Sequence, residues 1–225
     1  MAAVQMPDLD ELAQRHGLAA IGVADLDSLR EREPKAMAMA PPEFPRGIAL
    51  GIRLLDTVID QIEDRPTPLY FHVYRQANFA LDRAAFRLAL LLQRAGYRAL
   101  AVPASQITDP NGRRGLASHR LIGHAAGLGW IGRPTLLVHP EYGARMRYAS
   151  VLTDAPYPPG RPMADRCGDC RKCIDACPTD AIKESSRDFD VDACYQKLSE
   201  FRKLPFIGQH ICGICVKACR GPASV

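Results

Sequence analysis

The residues whose type and spacing could do chemistry are eight cysteines near the end of the chain. They form two runs and one single position: Cys167-x2-Cys170-x2-Cys173-x3-Cys177-Pro178, then Cys194, then Cys212-x2-Cys215-x3-Cys219. The first run has the spacing of [4Fe–4S] ligands, because a tight loop around a cubane can present three thiolates from a few residues. The number of thiolates matches the requirement of two such clusters.

The same spacing predicts which thiolates share a cluster. In this pattern three cysteines of the run hold one cluster and the fourth reaches across to another. One cluster would therefore be held by Cys167, Cys170, Cys173 and Cys219. The other would be held by Cys177, Cys194, Cys212 and Cys215. Cys194 then stands where a second complete run would have its first cysteine.

Two other uses of the cysteines stay open on the sequence. A disulfide framework requires an oxidising compartment, and Met1–Gln14 lacks the basic and apolar regions of a secretory signal. Zinc could take the Cys-x2-Cys pairs, although the run that ends in Cys177-Pro178 is more typical of a cluster. We expect a cytoplasmic iron–sulfur protein.

Composition limits the class of protein. The chain has 225 residues, of which 47% are hydrophobic, so it can bury one substantial core beside a small metal-bound module. A net charge of +4 is too small to indicate nucleic-acid binding by itself. The longest predicted helix carries Arg75, Asp82, Arg83 and Arg87, which argues against a membrane span and a membrane partner.

The pattern of apolar residues predicts an α/β (α+β) domain at residues 1–158, and the cysteine spacing predicts a ferredoxin-like module with two [4Fe–4S] clusters at 159–225. The proline-rich segment Ala155–Met163 marks the division. Helices are predicted at Leu9–Gly17, Thr67–Arg94 and Gly115–Ala126, with short ones at Thr179–Lys183 and Val216–Cys219. Strands are predicted at Ala19–Ala24, Gly47–Leu54, Arg98–Val102, Leu136–His139 and Arg145–Leu152.

A glycine-rich stretch, Gly123–Gly143, is the candidate ligand-binding segment of the first domain. Gly127, Gly129 and Gly132 surround Trp130, the only tryptophan of the chain. Such glycines permit a close approach of the backbone to a large ligand. Their spacing differs from that of a dinucleotide-binding fingerprint, and an ordinary turn is the alternative interpretation.

The same stretch resembles the core motif of epoxyqueuosine reductase. The similarity lies in Ala126–Arg133 (AGLGWIGR), Thr135–Leu137, Tyr142-Gly143 and Leu152–Asp154, and it extends to the cysteine positions. The resemblance implies a nitroreductase-like domain that binds cobalamin, as in the related reductive dehalogenases, with electrons passing from the clusters to cobalt. It also implies the corrin-facing residues: Gly127, Gly129, Trp130, Gly132, Arg133 and Gly143.

The chain departs from that motif before Ala126. The acidic positions of the motif fall on Arg113 and His119, and its arginine falls on Arg120. We therefore consider three proton donors near cobalt: His119, Tyr142 and Asp109. His119 and His124 could also face one side of a helix as ordinary surface histidines.

Three functions fit these residues. The first, which the sequence favours, is an iron–sulfur, cobalamin-dependent reductase of a small or unknown substrate. The second is a redox partner that reactivates a corrinoid on another protein. The third is a shortened tRNA epoxyqueuosine reductase, in which tRNA is a possible but less favoured partner. Each would draw electrons from a reductant such as ferredoxin or flavodoxin.

Overall fold

The computed structural model describes residues 6–105, 107–109 and 114–221. They divide into two compact units, each built from three stretches of the chain. The sheet unit takes the described residues of Met1–Ile52, Ala77–Gly129 and Arg147–Met163, and the cysteine unit takes those of Arg53–Gln76, Trp130–Met146 and Ala164–Val225. Among the residues described, no helix is both long enough and apolar enough to cross a bilayer.

The sheet unit is built on a four-stranded sheet. Its strands are β1 (Ala20–Asp25), β2 (Arg46–Arg53), β3 (Ala99–Val102) and β6 (Met146–Thr153), in the spatial order β1-β2-β6-β3. β1 runs antiparallel to β2, with Ala20 opposite Gly51. β3 runs antiparallel to β6, with Ala99 opposite Thr153. The central strands β2 and β6 are almost continuously buried, as expected for strands that are covered on both faces.

Helices of the sheet unit begin and end at recognisable signals. They are α1 (Leu9–His16), α2 (Leu26–Arg32), α3 (Pro34–Met37), α6 (His119–Ala125) and the larger part of α5 (Pro68–Arg94). The Asp8 carboxylate accepts hydrogen bonds from the first backbone N–H groups of α1, and Gly17 ends that helix in the left-handed conformation. Asp25 caps α2 in the same way.

Both faces of the sheet are covered. Leu81 and Leu88 of α5 belong to one buried cluster with Leu50 of β2. Gly47, the opposite face of β2 by strand alternation, lies against α2 and α6. A Cβ at Gly47 would lie 2.8 Å from Leu26 Cδ2 and 3.0 Å from Ile122 Cγ2, so glycine allows these helices to approach. The predicted mixed α/β class is confirmed.

The cysteine unit consists of short elements. Its helices are α4 (Asp56–Ile59), α7 (Lys172–Asp175), α8 (Val191–Phe201) and α9 (Ile214–Ala218), together with the first turns of α5 and a 3-10 turn at Ser186–Asp188. β4 (Trp130–Ile131) and β5 (Leu137–Val138) form a two-stranded ribbon, with Trp130 opposite Val138. α8 buries none of its side chains completely.

Most of the predicted elements are confirmed to within a few residues. The helix predicted from Gly115 begins only at His119. The short helix predicted at Thr179–Lys183 is wrong, since these residues form a turn in which Asp180 has a φ of 52°. The backbone N–H groups of this turn donate to the sulfur of Cys177, so they are not available for helical hydrogen bonds.

The compact units divide the chain differently from the boundary predicted at residue 158. Arg53–Gln76 and Trp130–Met146 lie before that boundary, yet they pack with the cysteines. Composition locates the proline-rich linker but carries no signal for such long-range packing. The two-domain boundary therefore stays a prediction.

Candidate functional site

Four cysteine side chains line one cavity of the cysteine unit. This cavity has a volume of about 540 Å³, and Cys167, Cys170, Cys173 and Cys219 are among its lining residues. They are the four thiols that the spacing assigns to one cluster. Lys172, Lys217, Arg166 and Arg220 line it as well, against one carboxylate from Glu63. Basic residues around four thiols suit a cluster, because four thiolates give it a net negative charge.

Local structure explains how these thiols converge. Cys173 lies in α7, whereas Cys167 and Cys170 belong to the loop before it, which is closed by a hydrogen bond from Cys170 N to Cys167 O. Gly168 in this loop has a φ of 49°, in the region that favours glycine. Cys219 follows the end of α9, so the fourth thiol comes from a different element.

The pKa shifts report the mutual proximity of these thiols. Burial raises the pKa of Cys173 to about 11, and the neighbouring groups of Cys219, Cys167 and Cys170 add to the rise. Burial likewise raises the pKa of Cys219, with further increases from Cys167 and Cys170. A cluster would reverse these shifts, since a metal deprotonates its thiol ligands.

The remaining four cysteines form a second group. Burial raises the pKa of Cys212 to about 11, with contributions from Cys194 and Cys177. Burial also raises the pKa of Cys215, to which Cys212, Cys194, Cys173 and Cys177 contribute. The two groups are therefore neighbours, because Cys215 interacts with Cys173 of the other group.

Cys177 differs from the other buried thiols. Burial acts to raise its pKa, but hydrogen bonds from the backbone and hydroxyl of Thr179 and from the backbone of Ile182 and Ala181 together lower it. Such N–H···S contacts stabilise a thiolate ligand.

All eight cysteines are free thiols. In the described part of the chain, no three or more His, Cys, Asp or Glu side chains converge on one point as the ligands of a single metal ion. Ligands of a cubane do not need to converge in this way, because each thiolate holds a different iron.

The glycine-rich stretch crosses from one unit to the other at Gly129 and Trp130. In the sheet unit, Gly127 has a φ of 81°, and an added Cβ would lie 2.7 Å from the carbonyl oxygen of Arg161. His124 Nδ1 lies 3.0 Å from the carbonyl oxygen of Gly129. The positive φ and the close Arg161 carbonyl explain the glycine at position 127 without any ligand.

In the cysteine unit the same stretch contacts the cysteine loop. The indole Nε1–H of Trp130 donates to Cys167 Sγ at 3.3 Å. The Arg133 guanidinium donates to the carbonyl oxygens of Gly168 at 2.8 Å, Cys170 at 2.8 Å and Glu184 at 3.0 Å. An added Cβ at Gly132 would lie 2.7 Å from Val138 Cγ2 and 3.4 Å from Cys167 Sγ.

Gly143 lies beside Cys219, the fourth cysteine of the cavity. Its φ is 60°, and an added Cβ would lie 2.3 Å from the carbonyl oxygen of Cys219. Ala144 N donates to that oxygen at 3.1 Å. Four of the six residues predicted to face a corrin, namely Trp130, Gly132, Arg133 and Gly143, thus support the cysteine loops. Their corrin contact stays a prediction.

The three predicted proton donors fall in different surroundings. Both ring nitrogens of His119 are engaged: Nδ1 lies 2.9 Å from Ser150 Oγ, and Nε2 lies 2.9 Å from the carbonyl oxygen of Pro103. Burial lowers the pKa of His119 to about 4, the Pro103 carbonyl opposes this, and the charge of Arg147 adds to it. The imidazole is therefore neutral at pH 7.

Tyr142 lies in the cysteine unit, and Asp109 lies in the sheet unit. The Tyr142 ring stacks on His139, with 4.7 Å between ring centroids, and the Arg53 guanidinium lies 4.8 Å from its centroid. A hydrogen bond to Glu141 raises the pKa of Tyr142. Asp109 forms an isolated β-bridge with Arg114, and Arg113 lies outside the described residues.

Sequence reasoning missed an ion-pair network that supports the cavity. Arg145 is 2% exposed, and its guanidinium donates to Asp56 Oδ1, Asp60 Oδ1 and the Lys217 carbonyl, each at 2.8 Å. The hydrogen bond from Arg145 is the largest cause of the lowered pKa values of Asp56 and Asp60. Arg220 also donates to Asp60 at 2.6 Å. A charged residue at the start of an apolar strand was the available signal, since a buried charge requires partners.

Comparisons with known proteins agree with this site. Residues 162–183 match the model of the 4Fe-4S binding domain family. An epoxyqueuosine reductase from Bacillus cereus is 36% identical over 86 residues, which are 38% of this chain and 22% of the relative. The chain thus matches only about a fifth of the length of that curated relative.

Solved structures show a shared fold. A reductive dehalogenase, described as catalysing B12-dependent dehalogenation, superposes with a TM-score of 0.70 at 21% identity, over 92% of this chain and 30% of the dehalogenase. An epoxyqueuosine reductase bound to an epoxyqueuosine-modified tRNA-Tyr stem loop superposes with a TM-score of 0.54 at 21% identity, over 93% of this chain and 64% of the reductase.

Fold and site together define a [4Fe–4S]-binding protein of mixed α/β architecture. The resemblance to epoxyqueuosine reductases and reductive dehalogenases that the sequence indicates is confirmed. The relatives with that name are enzymes.

Proposed function

We propose that this protein is an iron–sulfur oxidoreductase of the epoxyqueuosine reductase type, which carries electrons through two [4Fe–4S] clusters to cobalamin. The observation that carries the proposal is the arrangement of the thiols in two adjacent groups of four. Each cluster would accept and donate one electron at a time. Adjacent clusters suit transfer in sequence, from an external reductant such as ferredoxin or flavodoxin to an acceptor.

The residues present fit the first cluster in three ways. The four thiols share a cavity, basic side chains line it, and the indole N–H of Trp130 donates to Cys167 Sγ. The second group fits through its mutual contacts and through the N–H donors at Cys177. The ferredoxin-like character of a two-cluster module belongs to this proposal, as does the nitroreductase-like character of the sheet unit.

Cobalamin enters the proposal through the resemblance, and it would supply a strong reductant when bound. The B12 dependence of a dehalogenase with the same fold supports it. Of the predicted corrin-facing residues, Gly127 and Gly129 lie in the sheet unit, whereas Trp130, Gly132, Arg133 and Gly143 would have to serve a cysteine loop and a corrin together.

The proposed substrate is epoxyqueuosine in tRNA, rather than the small or unknown molecule that the sequence favours. Two findings support the change: curated relatives are named for epoxyqueuosine, and a structural neighbour binds a tRNA stem loop that carries it. Removal of an epoxide oxygen as water consumes two electrons and two protons. A single-electron carrier pair can deliver those electrons one after the other.

Among the three proton donors, Tyr142 fits best. It keeps its proton at neutral pH, because the pKa of a phenol is near 10 and the hydrogen bond to Glu141 raises the pKa of Tyr142 further. Neutral His119 already uses both nitrogens, which makes it a positioning group of the sheet unit. Asp109 lies in the sheet unit, where its backbone pairs with that of Arg114 in an isolated β-bridge.

The test uses anaerobically reconstituted protein. We expect about eight irons and eight acid-labile sulfides per chain. We also expect saturable cobalamin binding in a titration of the corrin absorbance, and conversion of epoxyqueuosine in tRNA from cells that lack the reductase. Stoichiometric zinc with little iron would overturn the cluster assignment.

The other outcomes separate the alternatives. Clusters without cobalamin binding would leave an electron carrier or a corrinoid-reactivating partner. Clusters and cobalamin without any reaction on tRNA would favour a small-molecule reductase. A Gly129→Val variant should weaken cobalamin binding by roughly five- to a hundred-fold and keep its iron, since overpacking costs about 1–3 kcal/mol.

A further inference from the structure

The indole of Trp130 lies against a sulfur that the proposed function assigns to a cluster. Trp130 is 2% exposed, and its Nε1–H donates to Cys167 Sγ at 3.3 Å. Both residues line the same cavity. Trp130 is also the only tryptophan of the chain, so any property of an indole in this protein belongs to this residue.

A hydrogen bond at this position acts on the redox chemistry of a cluster. Reduction adds negative charge to the cluster and its thiolates, and an N–H donor stabilises the more negative state. Hydrogen bonds to the sulfurs are therefore among the factors that set the reduction potential. Burial strengthens this effect, because water does not compete with a donor that is enclosed by protein.

The geometry of the contact is held from both sides. β4 carries Trp130, and its pairing with β5 fixes the strand beside the cavity. Arg133, three residues later, donates to the carbonyl oxygens of Gly168 and Cys170 in the loop that carries Cys167. The Arg133 side chain is 15% exposed, so this clamp is largely shielded from solvent.

The turn between the two strands makes this clamp compact. Gly132 N donates to the Leu136 carbonyl at 3.0 Å, and Thr135 N donates to the Gly132 carbonyl at 2.9 Å. A Cβ at Gly132 would lie 3.4 Å from Cys167 Sγ, so glycine allows the turn to reach the sulfur. Trp130, Gly132 and Arg133 thus all contact the cysteine loop or lie within van der Waals reach of it.

We infer that Trp130 is a positioning residue that raises the reduction potential of one cluster through its N–H···S hydrogen bond. That cluster is the one assigned to Cys167, Cys170, Cys173 and Cys219. Arg133 holds the loop that carries Cys167 in the position that this hydrogen bond requires. This inference rests on the proposed cluster at that site. The inference predicts that the two clusters differ in reduction potential, because the indole N–H donates to a ligand of only one of them.

The first test replaces Trp130 by Phe, which keeps an aromatic ring and removes the N–H. We expect full iron content and a midpoint potential that is more negative for one cluster. A three- to tenfold smaller reduction constant corresponds to about 30–60 mV, at 59 mV per decade for one electron. The cluster of Cys177, Cys194, Cys212 and Cys215 is the internal control and should keep its potential.

The second test needs no mutation. Indole-¹⁵N tryptophan labels a single nitrogen, and pulsed electron paramagnetic resonance of the reduced protein should detect its coupling to one cluster. Incorporation of benzothienylalanine, which has the shape of tryptophan with sulfur in place of the N–H, should reproduce the potential shift of Trp130→Phe. This analogue keeps the test decisive if the Phe variant folds poorly.

The outcomes separate this inference from the proposed function. Two clusters with unchanged potentials in both the Phe and the benzothienylalanine proteins would overturn the role of Trp130 and leave the cluster assignment intact. An absent ¹⁵N coupling in a fully loaded protein would also overturn it. Wild-type protein that holds no iron would instead refute the proposed function itself.

Discussion

The two compact units are stabilised by different means. The sheet unit has a large apolar cluster in which Leu81, Leu88 and Leu92 are fully buried against the sheet. The cysteine unit depends on short elements, a buried arginine network and eight thiols, and its longest complete helix, α8, has no fully buried side chain. A hydrophobic core can stabilise the first unit, and we expect the proposed clusters to add stability to the second.

The two units also differ in the reactive side chains that they contain. In the sheet unit, side chains such as His119 and Ser150 satisfy each other and leave little to react. In the cysteine unit, four thiols line a cavity whose walls include buried Trp130. The thiols that could bind redox clusters thus lie in the cysteine unit.

Loss of a cluster should have the largest effect, and that effect should be confined to the cysteine unit. Cys173→Ala should lose the cluster of the first group, and Cys177→Ala should damage the other, although these residues are four positions apart. Each variant should lose hydrogen-exchange protection in the cysteine unit and keep it in α5 and β6. Iron analysis and electron paramagnetic resonance identify the missing cluster. Loss of the same cluster in both variants would contradict the crossed ligand assignment.

Truncation of the apolar core should have the opposite selectivity. Leu88 is 0% exposed, and Leu88→Ala should destabilise the sheet unit by about 3–4 kcal/mol because it leaves a cavity. Its iron content should match that of the wild type. Phe86→Ala on the same helix, where the side chain is 61% exposed, is the matched control and should change stability by less than about 0.5 kcal/mol.

Removal of the buried arginine should weaken the cysteine unit without touching a thiol. Arg145→Met leaves Asp56 and Asp60 without their main partner. We expect a loss of about 2–3 kcal/mol, less than for a fully buried pair, because both carboxylates are partly exposed. The rate of iron release to a chelator should rise. Exposed Arg187→Met serves as control; equal release rates in the two variants would argue against the network.

The stability of the sheet unit should depend on pH through His119. The pKa of His119 is about 4 in the folded protein and about 6.5 when unfolded, so the unfolded state binds more protons between these values. Stability from this group is therefore full above pH 6.5 and falls as the pH decreases toward 4. Between pH 6 and 4.5 the loss should be about 2 kcal/mol.

Hydrogen exchange in β6 and α5 measures this loss, and His119→Gln is the comparison. The free energy of unfolding should change less steeply with pH in the variant, by the amount that corresponds to binding roughly one proton fewer on unfolding. A nuclear magnetic resonance titration of the His119 ring checks the cause. An ordinary imidazole pKa near 6.5 would refute the neutral state of His119.

Much of the fold could be read from local patterns. Apolar periodicity located β1, β2, α5, β3 and β6 because each has a strong pattern of its own. α8 and the short helices α2, α3, α4 and α7 carry too few periodic residues for such a prediction. The error at Thr179–Lys183 has a tertiary cause, since its N–H groups bond to a sulfur rather than to each other.

The sequence by itself sufficed to predict cluster ligation by the cysteines, because such ligation depends on a tight loop and on residue spacing along the chain. It also determined the resemblance to epoxyqueuosine reductases, which comparison confirmed. Only the tertiary structure decided which partners the glycine-rich stretch contacts. Trp130, Arg133 and Gly143 meet the cysteine loops through contacts between residues far apart in the chain, and local spacing carries no record of such contacts.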